Sequence, residues 1–241
     1  MDYEEINYGA ISSRQKQFES SLAFPVLMRK VYVWMTLALV ITGLTAYYVA
    51  TSPTLMMAIY TNPILLWGVP IATIVMVFGL SAGINKLSLT TATLLFVVYS
   101  VLMGVSLSSI FLVYTESSIA NVFFITAGTF AAMAFYGFIT KKDLTSWGKF
   151  LFMALIGLII ASIVNIFMKS SGMDLLISYA GVLIFVGLTA YDSQKIKEML
   201  MQAPDAGESM QKLALLGSLT LYLDFVNLFI HLLRIFGSQR E

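Results

Sequence analysis

The chain has 241 residues, of which 59% are hydrophobic and 11% charged, with a net charge of +1. A soluble domain carries about 25% charged residues, so this is a polytopic membrane protein, and its near-neutral charge gives no case for nucleic acid. With no cysteine and a single histidine, His231, it excludes disulfides, thiolate metal sites, cysteine nucleophiles and multi-histidine zinc sites.

Residues 1–25 are polar and charged, without the apolar core of a cleavable signal, and read as a flexible or surface-lying cytoplasmic tail. Apolar runs then recur at about 31–50, 64–83, 89–113, 119–139, 150–168, 175–191 and 213–236, each reaching or approaching the roughly 20 residues of a spanning helix. No barrel-like alternation is present. Backbone groups in lipid must be satisfied within their own segment, so residues 26–237 are expected to form one all-α, seven-helix transmembrane bundle. Arg14, Lys16, Arg29 and Lys30 precede the first segment. Lys86, then Lys141, Lys142 and Lys149, then Lys195, Lys197 and Lys212 mark alternate connections. The other connections carry no charge, or Glu116 alone, or Lys169 against Asp174. The bias places the N-terminus and the basic connections in the cytoplasm. Seven crossings put the C-terminus outside, which Arg234 and Arg240 weakly oppose; a re-entrant last segment would leave both ends cytoplasmic. Gly79 with Gly83, and Gly104 with Ser108, are small-residue pairs suited to close helix packing. The pentapeptide GLTAY, at 43–47 and again at 187–191, lies in segments one and six and reads as chance.

The last run, LALLGSLTLYLDFVNLFIHLLRIF, holds Asp224 near its middle. Gly217, Thr220, Asp224, Asn227, His231 and Arg234 step by three and four, so a helix gathers them on one face. An aspartate at the centre of a lipid-facing helix costs roughly 2.5–3.5 kcal/mol, so this stripe is expected to look inward, and its carboxylate marks a functional site. The partner is sought in Asp192, which closes segment six in GLTAYDSQKIKEML with Lys195 nearby to offset charge. By hydropathy Asp192 sits at the water interface, so the two meet only if segment six runs deeper than its apolar stretch. Two carboxylates in reach of each other share a proton. Protonated, the pair locks two helices together; deprotonated, it repels itself and attracts a hard cation such as calcium through its oxygens. If the two meet, Asp192 and Asp224 can change charge near physiological pH without a histidine. Thr220, Asn227 and His231 are pathway or packing support. Asn227 and Asn165 are read as interhelical hydrogen-bond donors, Glu116 as a solvated charge at the outer mouth, and Arg234 as a snorkelling cation.

Two enzymatic readings compete weakly. Tyr191-Asp192 and Asp224 have the layout of an intramembrane aspartyl protease, but Leu221-Tyr222-Leu223 replaces the glycine-bearing motif before the second aspartate. Gly79-Leu80-Ser81-Ala82-Gly83 matches a serine-hydrolase elbow but lies in a membrane helix instead of a strand–turn–helix. The expectation is a non-enzyme.

GLTAYDSQKIK at 187–197 and LTLYLDFVNLFIHLLRIFG at 219–237 together resemble the Bax inhibitor-1 family (the transmembrane Bax inhibitor motif proteins), in particular its bacterial inner-membrane members. KVYVWMT at 30–36, SLSSIFLVYT at 106–115 and FMALIGLIIASIVNIF at 152–167 follow the same pattern, so the resemblance covers about residues 26–237. It implies seven helices with the polar last one central and wrapped by the other six. It also implies a pH-sensing aspartate pair, here Asp192 and Asp224, that governs calcium leak. Family members carry a basic residue near the end of segment two that helps close the path. Here SAGINKLS offers no arginine, and Lys86 is the one cation available as a gate. The alternative implied by the family is a non-transporting protein that modulates a membrane-anchored quality-control protease, with the N-terminal tail as handle. No resident cofactor is expected, calcium being cargo.

Overall fold

A computed structural model describes the backbone of residues 3–240 and the side chains of residues 22–240. The described residues fold into α1 (Tyr3–Thr51), α2 (Pro53–Thr61), α3 (Pro63–Gly83), α4 (Leu89–Leu107), α5 (Ile110–Val113), α6 (Glu116–Ile139), α7 (Thr145–Met168), α8 (Ser171–Met201) and α9 (Glu208–Phe236), with no strand among them. Seven stretches are long and apolar enough to cross a membrane: Leu22–Thr51 of α1, α3, α4 with α5, and α6 to α9. The expectation of a polar tail at 1–25 falls mostly on residues 1–21, whose side chains lie outside the described residues.

The sequence punctuates these helices with side-chain caps. Ser52, Asn62, Ser88, Thr115 and Ser170 each accept a backbone N–H from the first turn that follows, and Pro53 and Pro63 open their helices where a missing N–H does no harm. This is also why residues 53–61, expected to be a plain connection, form a short helix. It is fastened by Tyr60, whose hydroxyl lies 3.0 Å from Ser108 Oγ.

α9 occupies the centre. Of its most apolar 18 residues 67% are buried, against 11% in α3 and in α7. It packs directly on α1, α4, α6 and α8, while α3 leans on α4 and α2 and α7 leans on α8. Four helices thus touch the central one closely and α3 and α7 complete an outer layer. Their exposed Ile71, Phe78, Phe152 and Ile159 form the kind of surface that lipid covers.

The basic connections gather at one end. Lys30 Nζ donates to Gln211 Oε1 at 2.6 Å, and Lys212 Nζ to the Leu87 carbonyl at 3.1 Å. Buried Gln194 clamps the α6–α7 connection, donating to the Lys142 carbonyl at 2.8 Å and accepting from the Leu144 N–H at 2.9 Å. In the same connection the Thr145 hydroxyl and N–H hold the exposed Asp143 carboxyl below its usual range. At the opposite end the residues after α9 bind the α5–α6 connection. The Thr115 N–H donates to the Ser238 carbonyl at 3.1 Å, and the Arg240 N–H to the Val113 carbonyl at 2.9 Å. α9 therefore traverses the bundle from end to end and is not re-entrant. Glu116, expected to be a solvated charge, is exposed and also pairs with Arg240 at 3.3 Å.

The small-residue pairs divide. A Cβ on Gly104 would lie 2.6 Å from the Thr42 carbonyl oxygen and from Thr45 Cβ, so glycine is what lets α4 close on α1. Gly79 has nothing within 4 Å and Gly83 only Leu87, so the GxxxG pair is not a packing contact in this chain. The two GLTAY copies also differ in setting: Gly43 is open, whereas Gly187 abuts Leu151.

The Gln194 clamp carries a prediction. Gln194→Leu leaves the Leu144 N–H and the Lys142 carbonyl without their partner, an expected loss of roughly 1–3 kcal/mol. Trypsin should then cut at Lys141 and Lys142 several-fold faster than in the parent; an unchanged rate would show that the clamp does not hold the loop.

Candidate functional site

Helix α8 does not stop where its apolar run stops. It continues as helix to Met201, well past the hydrophobic stretch, and this carries Asp192 into the bundle. α8 and α9 run antiparallel and touch at two narrow points. Gly217 of α9 meets Ile196, where an added Cβ would lie 3.1 Å from Ile196 Cγ2. Gly181 of α8 meets His231, where an added Cβ would lie 2.5 Å from the ring. Between these contacts the carboxyl groups of Asp192 and Asp224 lie within hydrogen-bonding reach of each other. Asp224 is 4% exposed, and its Oδ2 has no hydrogen-bond partner among the described residues.

Neighbouring bonds fix the pair. Ser193 Oγ donates to the Ala134 carbonyl of α6 at 2.9 Å, and Gln194 holds the loop beyond it. On the far side of α9, Thr42 Oγ1 donates to the Ser100 carbonyl at 2.9 Å, so the Tyr222 hydroxyl 2.7 Å away donates to Thr42. The Tyr222 ring meets Tyr99 edge-on at 5.8 Å and Phe96 at 6.0 Å. This tyrosine–threonine cluster, two residues from Asp224, ties α9 to α1 and α4. Sequence reasoning missed it. The available signal was a tyrosine in an apolar helix, whose hydroxyl needs a partner once buried.

The remaining stripe residues do less than expected. Thr220 Oγ1 and Asn227 Nδ2 donate to their own helix, to the Leu216 carbonyl at 3.1 Å and the Leu223 carbonyl at 2.8 Å. Asn227 is thus not an interhelical donor, because the carbonyl one turn back is nearer than any neighbouring helix. Asn165 is one: its Nδ2 donates to Asp174 Oδ1 of α8 at 2.7 Å. His231 is buried and stacks on Phe185 with centroids 5.8 Å apart, and its Nδ1 is unpartnered. Lys86 is exposed in the α3–α4 turn and forms no ion pair with either aspartate, and Lys195 Nζ sits over the Tyr191 ring at 5.7 Å. Ser81 is exposed on α3, away from His231 in the α8–α9 seam, so the serine-hydrolase constellation is not assembled.

The Gly181–His231 contact is testable. Gly181→Ala pushes a methyl into an imidazole wedged against Phe185, and is expected to destabilise by roughly 1–3 kcal/mol. Gly181→Ala with His231→Ala should recover part of that loss in a thermal-unfolding series; strict additivity would mean the two do not touch.

Residues 25–241 match the family model described as "Inhibitor of apoptosis-promoting Bax1". The chain is 51% identical over 214 residues to the inner membrane protein YbhL of Escherichia coli K12, covering 88% of this chain and 92% of that one. It is 43% identical to the uncharacterized protein RP147 of Rickettsia prowazekii, over 95% and 96% of the two chains. It is 40% identical over 178 residues to an uncharacterized membrane protein of Streptococcus pyogenes serotype M1, over 74% and 76%.

Proposed function

The chain belongs to the Bax inhibitor-1 family, and from that membership we propose that it is a pH-gated calcium leak pathway of the bacterial inner membrane. The observation that carries this reading is the meeting of Asp192 of α8 with Asp224 of α9, the most buried helix of the bundle. With one proton between them, the carboxyls form a hydrogen bond that holds α8 to α9. The seam is then shut on one side by Ile196 against Gly217 and on the other by His231 against Gly181. Loss of that proton leaves two negative charges in contact where water does not screen them, and they repel. No arginine or lysine among the described residues forms an ion pair with either carboxylate, and Lys195, which acts on Asp192 without pairing, offsets only part of this. The seam therefore loosens as pH rises, and the exposed charge draws in a cation. Calcium takes 6–8 oxygen ligands, and two carboxylates supply at most four, so the pair acts as a station in transit and lets the ion go. The basic end faces the cytoplasm, placing the N-terminus inside and the C-terminus outside.

The test is calcium entry into proteoliposomes loaded with a calcium-sensitive dye, from pH 6 to pH 8. Flux is expected to rise with pH. Flux equal to that of empty vesicles across this range, from a monodisperse sample, overturns transport and favours the protease-modulating alternative, which co-purification with the full chain would then examine.

A further inference from the structure

Two cavities join between α7 and the α8–α9 pair at the end opposite the basic connections. The first, about 380 Å³, is lined by Ser162, Asn165 and Lys169 of α7, Asp174 of α8 and Arg234 of α9. The second, about 210 Å³, is apolar over most of its wall and is lined by Leu155, Ile159 and Ile163 of α7 with Phe185 of α8, and Asn227 and His231 of α9 supply its polar wall. Ser162 and Ile166 belong to both, so a polar mouth opens into an apolar groove. We infer that this joined cavity is a binding site for an anionic phospholipid, its phosphate held between Lys169 and Arg234 and one acyl chain lying in the groove beneath.

Three observations carry the assignment. The ion pairs among the described residues are Lys212–Glu208 and Arg240–Glu116, so Lys169 and Arg234 keep their charge for a ligand. The one acid in the mouth, Asp174, is already engaged: it accepts from Asn165 Nδ2 at 2.7 Å and sits in the first turn of α8, where the helix dipole favours a negative charge. The length of the groove also fits. From Leu155 to Ile166 is about 16 Å of helix, and one leaflet of the hydrocarbon core is about 15 Å deep. The cations then stand at the height of the phosphate layer, with Lys169 turned out of its helix by a left-handed cap at φ 51°. Two cations at the mouth make this a poor entrance for calcium, although the groove reaches His231, which closes one end of the α8–α9 seam.

Native mass spectrometry of the full chain, titrated in detergent with phosphatidylglycerol or phosphatidylcholine, tests the site. One phosphatidylglycerol is expected to bind roughly thirtyfold tighter than phosphatidylcholine, the increment of two cation contacts. Lys169→Gln with Arg234→Gln should reduce it to the phosphatidylcholine level. Ile163→Trp, at an exposed position, should fill the groove and weaken both lipids with the cations intact. Equal phosphatidylglycerol binding by the parent and the double variant overturns the proposal. So does displacement of the lipid by millimolar inorganic phosphate with no effect of Ile163→Trp, which would make the mouth a free-anion site.

Discussion

Gly137→Ala is expected to prevent the bundle from closing around its aspartate pair. A Cβ on Gly137 of α6 would fall on the Ala190 carbonyl oxygen of α8 and against the Ala190 carbonyl carbon and Cα. Those are backbone atoms, so no rotamer change relieves the overlap, and α8 must move bodily. It is not free to slide. Ser193 Oγ bonds the Ala134 carbonyl, and one turn further along α8 Lys197 Nζ bonds the Phe138 carbonyl at 2.8 Å. Overpacking that the core can absorb costs about 1–3 kcal/mol; here backbone meets backbone, and the expected loss is above about 3 kcal/mol. Gly128→Ala in the same helix is the control. Nothing lies within 4 Å of it, so the better helix propensity of alanine should leave stability unchanged or raise it by up to about 1 kcal/mol. Thermal unfolding and monodispersity in detergent separate the two. A Gly137→Ala protein as stable as the parent would mean that α6 and α8 do not approach this closely.

That contact shows where sequence reading stops. Segment number and helical class follow from hydropathy, and the structure bears both out; of the stripe expected to look inward, Gly217, Asp224 and His231 are buried, Thr220 and Asn227 half-buried and Arg234 exposed. Asp192 is harder. Hydropathy ends at Tyr191 because it reports partition into lipid, whereas the helix ends where its backbone bonds end, at Met201. The carboxylate reads as interfacial because Lys195 and Lys197 follow it, yet Lys197 spends its charge on the Phe138 carbonyl and the helix runs on. Small-residue spacing is equally ambiguous. Gly79 and Gly83 have the better motif and no close neighbour on another helix, while Gly137 and Gly148 have no motif and sit against Ala190 and the Tyr191 ring. Whether a glycine packs depends on which face its helix turns to another, and that is set by the whole bundle. The Tyr222–Thr42 bond joins residues 180 apart for the same reason.

The aspartate pair gives the second large effect. For a gate worked by one proton, the open fraction changes by at most about tenfold per pH unit, so up to about a hundredfold between pH 6 and pH 8. Asp224→Asn keeps size and shape and replaces the shared proton with an amide donor. The new amide can donate to the Asp192 carboxylate at any pH in that range, so the α8–α9 bond no longer depends on a proton. Flux is expected to stay at the low level of the parent at pH 6 and to show no pH dependence. Asp192→Asn should behave alike, its amide donating to the Asp224 carboxylate, since the two groups act as a unit. Because either change alone removes the whole effect, the double variant should add nothing further, the non-additivity expected of residues that share one function. His231 is the other titratable side chain in this seam, stacked on Phe185 one helical stretch beyond the pair, so His231→Gln must be run beside them. If pH dependence survives in both asparagine variants and disappears in His231→Gln, the proton that matters belongs to the histidine, and the aspartates serve only to hold α9 in place.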